Sequence, residues 1–87
     1  MSVYFITFRS VTLAQRGENT LRRAGFHCSL QRTPRWMEEQ GCGYCLRLRR
    51  EEVDQCVEVL RQNRIQFRKV YIQKENGSVE EKKYDLS

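Results

Sequence analysis

No run of apolar residues in this sequence approaches the roughly 20 that a membrane-spanning helix needs. It has one proline, Pro34, one tryptophan, Trp36, and one histidine, His27. A single histidine leaves no Ser–His–Asp set to assemble. The five glycines are scattered, so no loop is built to cradle phosphates, and no pair of carboxylates stands out for acid–base work. Residues Met1 to Ile6 carry no basic start, apolar stretch or small-residue cleavage site of a secretory leader. The expectation is therefore a reducing, cytoplasmic setting without a membrane partner. Four cysteines are then free thiols rather than a disulfide framework.

What is present fits one small domain. A chain of 87 residues, 39% hydrophobic, can bury one thin core and no more. The formal charge of +5 would suit nucleic acid, an anionic membrane or an acidic protein. The basic residues are dispersed among acids, however, which reads first as a solvated surface.

The residues from Ser2 to Arg9 are β-branched and aromatic, as in a central strand. Ser10 or Thr12 can cap a helix, with Thr12 and Gln15 at capping-box spacing. Along it Ala14, Gly17, Leu21 and Ala24 recur at helical spacing, and Gly25 suits a left-handed stop. Residues Phe26 to Arg32 alternate as a half-buried strand that Pro34 ends. Tyr44, Leu46 and Leu48 alternate with Cys45, Arg47 and Arg49 in a third strand. A second helix spans Arg50 to Asn63 with Val53, Val57 and Leu60 inward, and a fourth strand spans Ile65 to Ile72. This βαββαβ order predicts an α+β, ferredoxin-like fold with a four-stranded antiparallel sheet and two helices on one face. Residues 1–72 form the domain. Residues 73–87 are a charged, flexible tail, with Asn76-Gly77 as a turn signal and a weak hairpin from Val79 to Leu86.

In this topology strand one ends at the sheet edge where strand three begins. Cys42 and Cys45, in Cys42-Gly43-Tyr44-Cys45, then lie beside the N-terminus of the first helix. The partial positive charge there, with Ser10 at the helix start and Arg9 and Arg35 nearby, favours the reactive thiolate. Gly41 and Gly43 allow unusual backbone angles and close approach. Cys28 and Cys56 fall on inward positions and read as small buried hydrophobes. A zinc site inside one chain wants two close cysteine pairs, and only one is present. A thioredoxin-type pair opens a helix, whereas Leu46-Arg47-Leu48-Arg49 continues as a strand. His27 falls on the outer side of its strand, away from the thiols. Thr7, Arg9, Arg47, Arg49 and Arg68 on the uncovered sheet face suggest an RNA platform or a homodimer surface. Strand three, however, lacks the outward aromatic on which a base would stack.

Taken together, the pieces resemble a bacterial family of selenium/sulfur carrier protein-like domains of unknown function. The likeness runs from residue 3 to 72. It is carried by Phe8-Arg9-Ser10, Ala14, Glu18, Leu21, Ala24-Gly25, Thr33-Pro34-Arg35, Cys42-Gly43, Leu46-Arg47, Asn63 and Tyr71. The resemblance implies a carrier or accessory protein rather than an enzyme. It takes sulfur or selenium from donor proteins onto Cys42 and passes it to acceptors, with no cofactor. Cys45 looks like an addition to the family pattern and would act as a resolving thiol. Glu38-Glu39-Gln40 also depart from the pattern, and acids there oppose thiolate formation. Two rivals remain at this point. One is a binding module, for nucleic acid or protein, using the basic sheet face. The other is a dimer sharing a metal between the Cys42 and Cys45 of two chains.

Overall fold

The computed structural model describes residues 3–34 and 43–82. Its elements follow the order β1 (Val3–Thr7), α1 (Val11–Arg23), β2 (Cys28–Arg32), β3 (Tyr44–Arg49), a short 3₁₀ turn (Arg50–Glu52), α2 (Val53–Gln62), β4 (Val70–Gln73) and β5 (Val79–Lys82). The fold is α+β, with two helices and a five-stranded sheet ordered β2-β3-β1-β4-β5. All neighbours pair antiparallel.

Side chains alternate across the sheet, so each cross-strand row belongs to one face. Tyr4, Ile6, Leu46, Leu48, Cys28 and Val70 face the helices. There they join Ala14 and Leu21 of α1 and Val53, Cys56, Val57 and Leu60 of α2 in the main core. Both helices therefore cover the same face, as expected. Gly17 is the point of closest approach. A methyl group there would stand 3.1 Å from the Phe8 ring, so the glycine lets α1 settle onto the sheet.

Ser10, not Thr12, starts α1. Its backbone is extended, its hydroxyl accepts from the Leu13 N–H at 3.2 Å, and its carbonyl accepts from Ala14 at 3.1 Å. Both helices end in the same pair of crossed hydrogen bonds. In α1 the N–H groups of Phe26 and Gly25 reach the carbonyls of Leu21 and Arg22. In α2 those of Ile65 and Arg64 reach Leu60 and Arg61. This closure needs a left-handed residue after the cap. Gly25 supplies it in α1 at φ 92°, while Arg64 supplies it in α2 at φ 57°. Ala24 lies at the exposed cap of α1 rather than on its inner stripe. Phe26 and His27 precede β2 instead of belonging to it, because the Phe26 N–H is spent on closing α1.

Two expectations for the C-terminal part are corrected. The sheet has five strands, not four. The turn at Asn76-Gly77, with Gly77 at φ 86°, folds residues 79–82 back onto β4. Lys74 to Ser78 and Gly77 to Lys74 hydrogen bonds of 2.9 Å close it. The sheet thus continues past residue 72 into the segment expected as a tail. The fourth strand is also shorter than the predicted span from Ile65 to Ile72. Just before it, Arg68 and Lys69 both stand against Thr7. The Arg68 N–H donates to the Thr7 carbonyl at 2.8 Å and the Lys69 N–H to Thr7 Oγ1 at 3.1 Å, while the Lys69 carbonyl accepts from the Thr7 N–H at 2.9 Å. Two residues facing one is a bulge, and it shifts the alternation by one position. That shift lets Phe67 and Val70, an odd number of residues apart, both enter the helix-side core.

Candidate functional site

The edge of the sheet where β1 ends is also where β3 begins, since Thr7 pairs with Cys45. The predicted juxtaposition of these two chain segments is therefore present. Ser10 caps α1 two residues after Phe8, which is fully buried at that edge. Gly43 has φ 83°, and nothing lies within 4 Å of where its Cβ would be. The turn angle, rather than crowding, is what calls for glycine there. The Gly43 carbonyl accepts from the Thr33 N–H at 2.9 Å, so the strands flanking the thiol segment are tied just beyond their ladder. Cys42, Gly41 and Arg35 lie outside the described residues, as does the acidic run at residues 38–40.

Cys45 is where alternation puts it, opposite the helix side, but it is not exposed. It is fully buried with Phe5, against Val3 and Tyr71. The expectation of an accessible Cys45 thiol is thus corrected. The helix-dipole argument does not reach it either, because α1 packs on the other face of the sheet. The small apolar cluster around Cys45 also bears on the RNA reading. Phe5, the aromatic of β1 on that face, is 4% exposed and offers no platform for a base. Sequence reading missed it because nearly every position of β1 is apolar, which hides the alternation between faces.

The environment of the other two described thiols disfavours the thiolate. Burial, reinforced by Glu52 and Cys28, pushes the Cys56 thiol up to about 12. Burial and the charge of Glu18 also raise Cys28, whose Sγ lies 3.9 Å from the Glu18 carbonyl. His27 is exposed and bound to Glu52. Its N–H donates to Oε1 at 3.0 Å and its Nδ1 lies 3.3 Å from Oε2. That backbone hydrogen bond is the main reason the Glu52 carboxyl titrates below its ordinary value. Among the described residues no group of three or more His, Cys, Asp or Glu side chains converges as metal ligands. Nor is any helix among them long and apolar enough to cross a membrane.

Arg9 and Arg68 line a cleft of about 480 Å³ at the same sheet edge, together with Arg61, Arg64 and Lys69. Thr7, Arg47 and Arg49 hold to the open face, Arg47 opposite Phe5, Arg49 opposite Val3 and Thr7 opposite Cys45. Arg64 was not singled out in the sequence. Its signal was the place two residues past α2, where a glycine is the ordinary choice.

The model of a protein family described as Putative Se/S carrier protein-like matches residues 3–72 of the chain. That span covers both helices, the first three strands, all but the last residue of the fourth, and the cysteine pair. No curated protein and no solved structure matches it.

Proposed function

From its membership of the Se/S carrier protein-like family, to which this chain belongs, we propose that it carries a sulfur or selenium atom on Cys42. The family match carries this reading, since it spans Cys42-Gly43 and the whole framework that holds them. The burial of Cys28, Cys45 and Cys56 supports it, because Cys45 and Cys56 are fully buried and Cys28 is only 9% exposed. We also infer that the two helices and first four strands form a ferredoxin-like unit with β5 added at one edge. The order β2-β3-β1-β4 supports this.

Loading is a thiol exchange. The Cys42 thiolate attacks the terminal sulfur of a donor's persulfide, the donor's thiolate departs, and Cys42 keeps the extra sulfur. Two releases follow from the chemistry. An acceptor nucleophile takes the terminal sulfur and leaves the Cys42 thiolate. Alternatively, the Cys45 thiolate attacks the Cys42 Sγ, hydrosulfide leaves with the bonding pair, and a Cys42–Cys45 disulfide remains for an external dithiol to reduce. Burial of Cys45 makes this second route wait on an opening of the first residues of β3. A reducing cytoplasm keeps both thiols available between turns.

Intact mass spectrometry of the protein from cells tests the reading. The expected result is a gain of one sulfur or one selenium atom, mapped to the peptide containing Cys42. It should be absent in Cys42→Ser and retained in Cys45→Ser. An adduct that persists in Cys42→Ser would remove Cys42 from the carrier role.

A further inference from the structure

Five of the residues lining the cleft at the β1–β4 edge are cationic: Arg9, Arg61, Arg64, Arg68 and Lys69. Among the described residues no carboxylate lines it. Two of the five have acidic neighbours outside, Arg61 with Glu58 at 3.9 Å and Lys69 with Glu81 at 4.0 Å. Arg9, Arg64 and Arg68 have no ion pair with any described side chain. Gathering so many like charges around one concavity costs folding energy unless an anion offsets it. The apolar inner wall is formed by Ile65 and Phe67, both buried.

Arg64 supplies the second, independent observation. It holds φ 57°, a left-handed angle that glycine adopts freely and other residues adopt at a cost. The same closure in α1 uses Gly25. A strained residue at a place where glycine would be cheaper is a pointer to function, and this one is an arginine that lines the cleft. The Arg68–Lys69 bulge against Thr7 has the same effect. It interrupts the ladder and directs two neighbouring cations to the same edge.

We propose that this cleft is a binding site for the phosphate group of a small molecule. Its volume of about 480 Å³ falls among small-ligand sites rather than extended interfaces. A phosphate carries close to two charges and three acceptor oxygens, which several forked guanidinium groups satisfy together. The apolar wall of Ile65 and Phe67 gives the remainder of the ligand a surface to cover. The site uses no thiol and stands whether or not Cys42 carries cargo.

Titration with pyrophosphate, adenosine monophosphate and a hexaglutamate peptide, each against sodium chloride of equal ionic strength, tests the proposal by calorimetry and thermal melting. Binding of pyrophosphate or the nucleotide beyond the salt control is expected, and tighter nucleotide binding would mean that the apolar wall takes part. Arg64→Gly and Arg68→Ala should each weaken it about tenfold, the loss of one charge-assisted hydrogen bond. Arg64→Gly should also melt at or above the wild-type temperature, because it relieves the left-handed strain. Phosphate compounds that act no differently from chloride would overturn the site. So would unchanged affinity in both variants, or a preference for hexaglutamate over either phosphate compound.

Discussion

Glu18 shows how a single side chain can fix an edge that no periodicity reveals. Its carboxylate accepts the Leu30 N–H of β2 at 2.9 Å, and Arg22 stands 3.8 Å from the same oxygen. Because β2 ends the sheet, that N–H has no strand beside it. Arg22 also reaches the Cys28 carbonyl at 3.4 Å, so α1 grips the edge strand at two points. Replacing Glu18 by Ala would leave the Leu30 N–H to whatever water can reach it. Since the Glu18 side chain is about one-fifth exposed, the expected loss is about 1–2 kcal/mol in a denaturant melt. Glu18→Gln, which keeps an acceptor oxygen, should recover most of it. A Gln variant as unstable as the Ala variant would show that charge pairing with Arg22, not the backbone contact, is what matters.

Among the elements, β5 is the one whose contribution most invites measurement. It pairs along the whole of β4, yet Val79, Glu80 and Glu81 are exposed. Its ties to the rest are polar: Lys74 to Glu80 at 2.8 Å, Lys82 to Asp54 of α2 at 3.4 Å, and the Lys82 ammonium 5.8 Å over the Tyr4 ring. Exposed ion pairs of this kind contribute little, and the charges on β5 also guard an edge that would otherwise recruit another strand. A chain ending at Gln73 should therefore still unfold cooperatively, less stable by roughly 1–2 kcal/mol, the net worth of one or two hydrogen bonds. It should also self-associate more at high concentration, because β4 becomes an uncovered edge. Loss of cooperative melting would mean that β5 is part of the nucleus of the fold.

The whole molecule has a core on each face of one sheet, and its thiols report on both. Cys28 and Cys56 belong to the large helix-side core and Cys45 to the small cluster on the other face. A domain of this size has little capacity for independent parts. In alkylation across a denaturant series, all three should become reactive in one transition that coincides with global unfolding. If Cys45 labels at lower denaturant than Cys28 and Cys56, the open-face cluster opens separately, and the disulfide route of release becomes accessible in the native state.

Periodicity and punctuation fixed a great deal in advance. The inward stripe of α2, with Val53, Cys56, Val57 and Leu60 all buried, follows from 3.6-residue spacing alone. Gly25 follows from the left-handed stop that a helix end needs, and the meeting of β1's end with β3's start follows from connection rules that hold for any right-handed crossover. Burial of Cys45 did not follow, because alternation says which face a residue takes and not what packs there. Nor did the bulge at Arg68–Lys69, which depends on Thr7 offering both a carbonyl and a hydroxyl across the ladder. The basic cleft is the plainest case. Its five cations come from the end of β1, the end of α2 and the approach to β4, up to 60 positions apart in the chain. In the sequence they read as dispersed charge, and only the antiparallel pairing of β1 with β4 and the closure of α2 at Arg64 draw them around one cavity.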